Sequence, residues 1–559
     1  MLGLKVAKVP LNKLFGRYGM ISKMMTKAIS FVDNYINQNY TKMECNKIEH
    51  ELQNIVGEYK VSPATSDLTT YEQVQSFLAT LNEKESIRKS KGVYYTPTDV
   101  VRFILFNSFK FVSGKLKPNN LHVMDLNGIP YSSICYEKII FDPTCGAGEF
   151  LLASLEIKMD LLDLHHSNVT KNKLKKVVNT IKGNDVNKES TTISKLRLYL
   201  SCLHRYGVTK SLGVSNILNE SFMNYDYVSK HPMSDVKYDV IVGNPPYVED
   251  SKCGLVLEKL YGNIYANVLD NAAHQLKRDG VLGFIIPLSY VSTPRMRKIR
   301  EDLYEYVPIQ YLLNYSDRPD CLFTSVHQKL SILFAKKKGT DRAIYSGNYT
   351  YWYKDEREDL FTSAQVVSNK YVEDKFIPKL GTKLDSDIYS KIINNKEDIT
   401  SLFDNGTFSI YLNMRATFWI KAFLNKHNGS EYKEMKSSND SFRKYAMCLL
   451  NSSLFWWYWV CVSDCWHITR KELNGFKIPI VTDYKKLDEL AVALENKLEK
   501  TKVYVGKKQT EYEYKHRLCI AEIHAIDDYI NKLFGLTKEE SLHIKNFAYR
   551  YRVSGGTAK

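Results

Sequence analysis

The run Tyr238–Gly243 (YDVIVG), followed at once by Asn244–Pro245–Pro246–Tyr247, restricts this chain more than any other segment. The first six residues have strand length and centre on the β-branched Val240, Ile241 and Val242. Two consecutive prolines can neither continue a helix nor donate to a ladder, so the chain must leave a sheet at the carboxyl end of that strand. In open α/β sheets this edge is where ligands bind.

Similar short runs surround it: Lys138–Asp142 (KIIFD), Gly280–Pro287 (GVLGFIIP) and Leu330–Ala335 (LSILFA), alternating with longer amphipathic stretches. Strands interleaved with helical patterns predict βαβ units and a largely parallel sheet over residues 86–340. Residues 1–85 read as helical. Residues 341–485, past Lys336–Gly339 (KKKG), are rich in Tyr, Ser, Asn and Lys and show no crossover unit. From 486 to 559 the pattern is helical again, and Thr537–Glu540 (TKEE) has capping-box spacing. The expected fold class is therefore α/β: a Rossmann-like domain with a helical N-terminal segment and a C-terminal mixed α/β region ending in helices.

Several classes of protein are excluded. The most apolar stretch, Cys448–Val462, is broken by Asn451, Ser452 and Ser453 and is too short for a membrane span. The N-terminus has no apolar core of signal-peptide length. The 10 cysteines form no CxxC pair, so no metal site is expected and a cytoplasmic location fits best. With 78 Lys plus Arg against 62 Asp plus Glu, the formal charge of +16 favours a polyanionic partner, nucleic acid first.

A second motif lies at Phe141–Phe150 (FDPTCGAGEF), where a β run ends in a Gly-rich turn that opens a helix. Gly146 and Gly148 would let a ligand approach the backbone closely. Leu151 stands where the dinucleotide fingerprint has its third glycine, which favours a nucleotide ligand without a pyrophosphate. Asp185 is the candidate acid for ribose hydroxyls, and Glu220 a candidate for an adenine amino group; each also reads as an ordinary capping or turn residue.

The Asn-Pro-Pro-Tyr turn suits a particular chemical problem. An adenine amino nitrogen is a poor nucleophile because its lone pair is delocalised into the ring. The Asn244 side-chain oxygen and the Pro245 carbonyl can both accept a hydrogen bond from that NH₂, drawing it toward tetrahedral geometry. Such acceptors act by orientation and electrostatics. Tyr247 offers an aromatic face to a base taken out of its stack. Attack on cytosine C5 would need a thiolate, and this motif has no cysteine.

With DPTCGAGEF, NPPY and Lys91–Leu105 (KGVYYTPTDVVRFIL), the sequence resembles the N6-adenine-specific DNA methyltransferases that use S-adenosylmethionine, in the γ order of motifs. The resemblance implies a set of site residues. Tyr95, Thr96, Asp142 and Thr144 would bind the cofactor, with Gly146 and Gly148 shaping the turn. Asp185 would hold its ribose, and Glu220 with Phe222 would border its adenine. Asn244, Pro245, Pro246 and Tyr247 would form the target site, with Phe323 as a second aromatic against the flipped base.

The C-terminal half resembles the target-recognition domains of these enzymes, over 341–485. Trp466, His467, Arg470 and Lys471 are its candidate DNA contacts, and Arg295, Arg297 and Lys298, with Arg300, form a basic cluster in the catalytic half. Trp456, Trp457 and Trp459 read as core. The implied partners are double-stranded DNA and, in a split restriction–modification system, a separate cognate endonuclease. Two alternatives stay open: a fused restriction endonuclease–methyltransferase, for which Glu58–Tyr59–Lys60 gives a weak ExK signal, and an NPPY methyltransferase acting on RNA or on a protein glutamine.

Overall fold

The computed structural model describes residues 23–57, 69–81, 95–229, 235–323, 327–337, 341–373, 375–427, 429–507 and 510–554. The Glu58–Lys60 tripeptide, the basic N-terminus and Lys91–Tyr94 lie outside the described residues. The chain forms two compact units, Met1–Arg88 with Cys145–Tyr225, and Lys89–Thr144 with Asp226–Lys559.

In the first unit, the strands Ile181–Asn184 and Phe222–Met223 run parallel, with Gly183 opposite Phe222. The helices Glu149–His165, Lys188–Ser211 and Val214–Ser221 accompany them. The N-terminal helices belong to this unit: Lys42–Val56 packs on Val214–Ser221 and Lys188–Ser211, and Tyr71–Leu81 packs on Lys188–Ser211. Buried Glu51 fixes one of these contacts, accepting from the amides of Gly213 (2.6 Å) and Ser215 (3.1 Å) at the start of Val214–Ser221. A carboxylate there satisfies orphan N–H groups and complements the helix dipole.

In the second unit the sheet runs in the order Ile140–Asp142, Tyr238–Gly243, Leu276–Pro287, Leu330–Lys336, Ile309–Tyr315, Ala343–Thr350, Val367–Ser368. The first three strands are parallel. Leu330–Lys336 is antiparallel to both of its neighbours, with Leu330 opposite Pro287 on one side and Tyr315 on the other. Ile309–Tyr315 and Ala343–Thr350 are again parallel, so the sheet is rich in parallel pairs, as expected, with Leu330–Lys336 and the edge strand Val367–Ser368 running antiparallel. The segment joining Tyr315 to Leu330 contains no crossover helix among its described residues, and a parallel return needs one. Every residue of Tyr238–Gly243 is buried, as an apolar run in a sheet covered on both faces requires.

The remainder of this unit holds a three-stranded antiparallel sheet, Ala422–Phe423, Phe408–Asn413 and Tyr432–Ser437, and a helical end. The apolar stretch at 448–462 is divided between the helices Asp440–Asn451 and Ser453–Val462, with the Ser452 hydroxyl capping the second. Trp456, Trp457 and Trp459 are buried. Thr537 and Glu540 close the capping box their spacing predicted. No described helix is long and apolar enough to cross a membrane.

Candidate active site

The strand Tyr238–Gly243 delivers Asn244 to the carboxyl edge of its sheet. There Asn244 Nδ2 donates to Thr96 Oγ1 at 3.0 Å. Thr96 is buried and lies just before the helix Thr98–Val112. With Nδ2 turned to Thr96, Oδ1 is the accepting end of the amide at the other side. Pro245 is buried and Pro246 half-buried, so the turn is stiff as well as enclosed.

Tyr247 is anchored at both ends of its ring. Its hydroxyl donates to the Ile285 carbonyl at 2.8 Å, and Tyr265 meets its ring edge-on, at 6.3 Å between centroids. Burial first, then the neighbouring Tyr265, push its phenol well above the usual range, so it stays a neutral donor. Next to this turn, a Cβ at Gly243 would come within 2.9 Å of Asp142 Oδ1, so only glycine leaves that carboxylate uncrowded. Asp142 Oδ1 in turn accepts from the Thr144 amide at 3.0 Å. The Thr144 hydroxyl is buried with no hydrogen-bond partner among the described residues, so a ligand or a water has a polar group to satisfy there.

The Gly-rich turn continues in the first unit from Cys145. Gly146 and Gly148 adopt φ of +54° and +86°, where other residues are strained. Asp185 accepts from the amides of Gly146 (3.0 Å) and Asn187 (2.8 Å), one on each carboxylate oxygen, which fixes the carboxylate against the turn. Arg197 holds the other side of the turn: it donates to the Ala147 carbonyl at 2.7 Å and pairs with Glu149. Gln75, on an N-terminal helix, brackets Arg197 with two bonds, accepting from its Nε at 3.0 Å and donating to its carbonyl at 2.9 Å. The N-terminal helices therefore buttress this turn, a role not visible in their sequence.

Two predicted cofactor residues are placed elsewhere. Glu220 is exposed on the helix Val214–Ser221, before the strand Phe222–Met223, and so at the end of that strand opposite to Asp185. Phe222 is buried with its ring over Gly183, where a Cβ would lie 2.6 Å from it. The residues that follow the strand lie at the Asp185 end instead. Asn224 Nδ2 donates to the Asp185 carbonyl at 2.8 Å and to Thr191 Oγ1 at 2.9 Å. Tyr225 exchanges two 3.1 Å hydrogen bonds with the Asn184 side chain. Their only signal in the sequence was position after a two-residue strand too short to show a period.

Three further expectations change. Phe323 is 1% exposed and presents no face to a base. The Lys471 ammonium is clasped by the carbonyls of Ser292 (2.8 Å) and Val462 (2.7 Å) and by Glu472, so it is a structural staple and not a surface cation. Arg300 is buried, donating to the carbonyls of Tyr290 and Thr293. By contrast Arg295, Arg297, Lys298, His467 and Arg470 are exposed, Arg297 in an ion pair with Glu301 and Arg295 facing Glu249 at 3.6 Å. Trp466 is half-buried beneath two cations.

Residues 179–321, which contain Asp185, Asn224 and the Asn244–Tyr247 turn, match the family described as Eco57I restriction-modification methylase. Over these residues the chain is similar to the restriction–modification methylases. It is 23% identical over 240 residues to the type II methyltransferase M.BstVI of Geobacillus stearothermophilus, covering 41% of this chain and 42% of that one. It is 21% identical over 330 residues to the type II restriction enzyme and methyltransferase RM.Eco57I of Escherichia coli, covering 50% of this chain and 31% of that one. The chain thus spans less than half the length of these curated relatives. The solved structure of the type IIL restriction–modification enzyme MmeI in complex with DNA shares its fold, with a TM-score of 0.52 at 12% identity over 95% of this chain and 94% of that one.

Proposed function

We propose that this chain is a sequence-specific DNA adenine-N6 methyltransferase of a restriction–modification system. The observation that carries the reading is the Asn244 amide, locked by Thr96 on a proline-stiffened turn at a strand's carboxyl edge. Its Oδ1 and the Pro245 carbonyl accept the two protons of an adenine amino group and aim its nitrogen. Tyr247, tied down by Ile285, supports the extruded base. Orientation of this kind lowers the barrier because the acceptors need not reorganise during reaction.

S-adenosylmethionine suits the donor set and supplies an already activated methyl group on a sulfonium. The buried Thr144 hydroxyl is available to a polar ligand, and Asp185, after the strand Ile181–Asn184, is assigned to ribose hydroxyls on its sequence position. In the second unit Asp142 and Thr96 are assigned to it with Thr144; in the first, Asn224 and Tyr225 are assigned with Asp185. No metal enters the scheme. The exposed Arg295, Arg297, Lys298, His467 and Arg470 are assigned to duplex DNA, phosphate contacts setting affinity and groove contacts sequence choice. A separate endonuclease would complete the system.

The test is incubation of the protein and methyl-labelled S-adenosylmethionine with mixed-sequence DNA, RNA and protein, followed by digestion of the DNA to nucleosides. Label in N6-methyladenine is expected. Label only in RNA, in protein or in a methylated cytosine would overturn the reading.

A further inference from the structure

Beside the Asn244–Tyr247 turn, in the same unit, lies an arrangement that the scheme above does not use. Trp466 carries two cations against its ring: the Arg318 guanidinium carbon is 5.3 Å from the ring centroid and Lys329 Nζ is 5.0 Å from it. Ser316, Tyr349, Tyr351, Thr417, Phe418 and Cys465 line a concavity around them, with the largely buried Asp317 as its one acidic residue among those described.

Trp466 itself is held firmly. Its amide donates to Asp464 Oδ1 at 2.9 Å, its carbonyl accepts from Ala416 at 3.0 Å, and Cys465 before it adopts a φ of +56°. A non-glycine residue in that region is uncommon and persists only where its surroundings enforce it.

The strand register sets where these groups lie. Pro287 and Tyr315 both pair with Leu330, so Lys329 just before Leu330 and Arg318 just after Tyr315 stand at the edge where Leu276–Pro287 ends. Tyr238–Gly243 runs parallel to Leu276–Pro287 and ends at that same edge in Asn244. The Lys329 carbonyl accepts from Leu288 at 3.0 Å, which fixes its backbone there.

The chemistry points to an anion. Among the described residues neither cation meets a carboxylate within 4 Å, whereas Arg295, Arg297 and Arg357 each do. Stacking on an indole keeps both charges in place without neutralising them. We propose that Arg318 and Lys329, set on Trp466, form a phosphodiester-binding site for the DNA strand whose nucleotide enters the Asn244–Tyr247 site. The site rests on the DNA-methyltransferase reading. Its role is to grip the backbone beside the extruded nucleotide, where unstacking leaves the strand without its helical support.

The test is the salt dependence of binding to a fluorescent mixed-sequence DNA duplex, for wild type and for Arg318→Gln/Lys329→Gln. Each phosphate contact contributes about 0.9 to the slope of log K against log salt, so the double variant should flatten it by about 1.8. Lys329→Gln alone should flatten it by about 0.9. Lys485→Gln/Lys486→Gln removes the same charge elsewhere and should leave the slope as it is. Calorimetric S-adenosylmethionine affinity should be equal in all four proteins, which excludes misfolding. An unchanged slope in the double variant, or an equal change in the control, overturns the site while leaving the methyltransferase reading intact. A wild-type protein that binds S-adenosylmethionine but no DNA at any salt overturns both.

Discussion

Arg357 grips Asp99 through two hydrogen bonds, Nε to Oδ2 at 2.7 Å and Nη2 to Oδ1 at 3.1 Å. The same guanidinium donates to the carbonyls of Cys321 (3.2 Å) and Leu322 (3.0 Å). Asp99 lies in the first turn of the helix Thr98–Val112, three residues after Thr96, which holds Asn244. Arg357 sits beside Glu356, which accepts from Tyr551 at 2.8 Å and pairs with Arg550, so the C-terminal helix Tyr549–Val553 anchors the same turn. A chain of bonds therefore runs from the C-terminus to the proposed catalytic amide.

Arg357→Ala should release Thr96 and lower the turnover number about 10- to 100-fold, because a small misplacement of a reacting group costs on that order. KM for DNA and affinity for S-adenosylmethionine should change much less. Arg357→Lys should recover little, since a point charge cannot reproduce a two-pronged grip. Steady-state kinetics checks this. Equal losses in turnover and in cofactor affinity would reduce Arg357 to a general stabilising residue.

Asn244→Ala removes one of the two acceptors proposed to hold the amine. If that contact strengthens only as the amine becomes tetrahedral, turnover should drop about 100- to 1,000-fold with both binding constants nearly unchanged. Single-turnover methylation, with separate titrations of DNA and cofactor, measures this. A matching loss of DNA affinity would assign Asn244 to binding instead.

The positions of Glu220 and Asn224 make opposite predictions for two neighbouring polar residues. Asn224→Ala removes the bonds to the Asp185 carbonyl and Thr191, and should weaken S-adenosylmethionine binding about 10-fold, in line with loss of one or two buried hydrogen bonds. Glu220→Ala, exposed at the far end of the strand, should leave that affinity as it is. Isothermal titration distinguishes them, and a reversed order would restore the assignment drawn from sequence.

The contrast shows what local pattern carries. Tyr238–Gly243 was legible because Val240, Ile241 and Val242 form the β-branched run of a buried strand, and Asn244–Tyr247 because two prolines permit little else. The Thr537 cap and the split of the tryptophan-rich stretch at Ser452 follow from side chains bonding to their own backbone. What stayed hidden was long-range. Gln75 with Arg197, and Asp99 with Arg357, join residues more than one hundred positions apart. Lys471 looks like any surface lysine until Ser292 and Val462 close on it. Leu330–Lys336 carries the pattern of a buried parallel strand, and its antiparallel direction is set by the connection before it.

His516 gives the C-terminal region a defined acid limit. It is 1% exposed, and one ring nitrogen, Nε2, lies 3.1 Å from Asn451 Oδ1. Burial first, then the positive charges of Lys421 and Arg552, push the imidazole down to about 3 from an ordinary value of 6.5. The folded state thus keeps His516 neutral where an unfolded chain would protonate it, so stability is present above pH 6.5 and is lost as pH falls toward 3. Between pH 6.5 and 5 the loss from this one group is roughly 1.5 kcal/mol. His516→Gln retains a donor for Asn451 and cannot titrate. Urea unfolding at both pH values should therefore show a smaller pH effect in the variant, even though the variant is the less stable protein at pH 7. Parallel losses in the two proteins would mean that another group sets the acid limit.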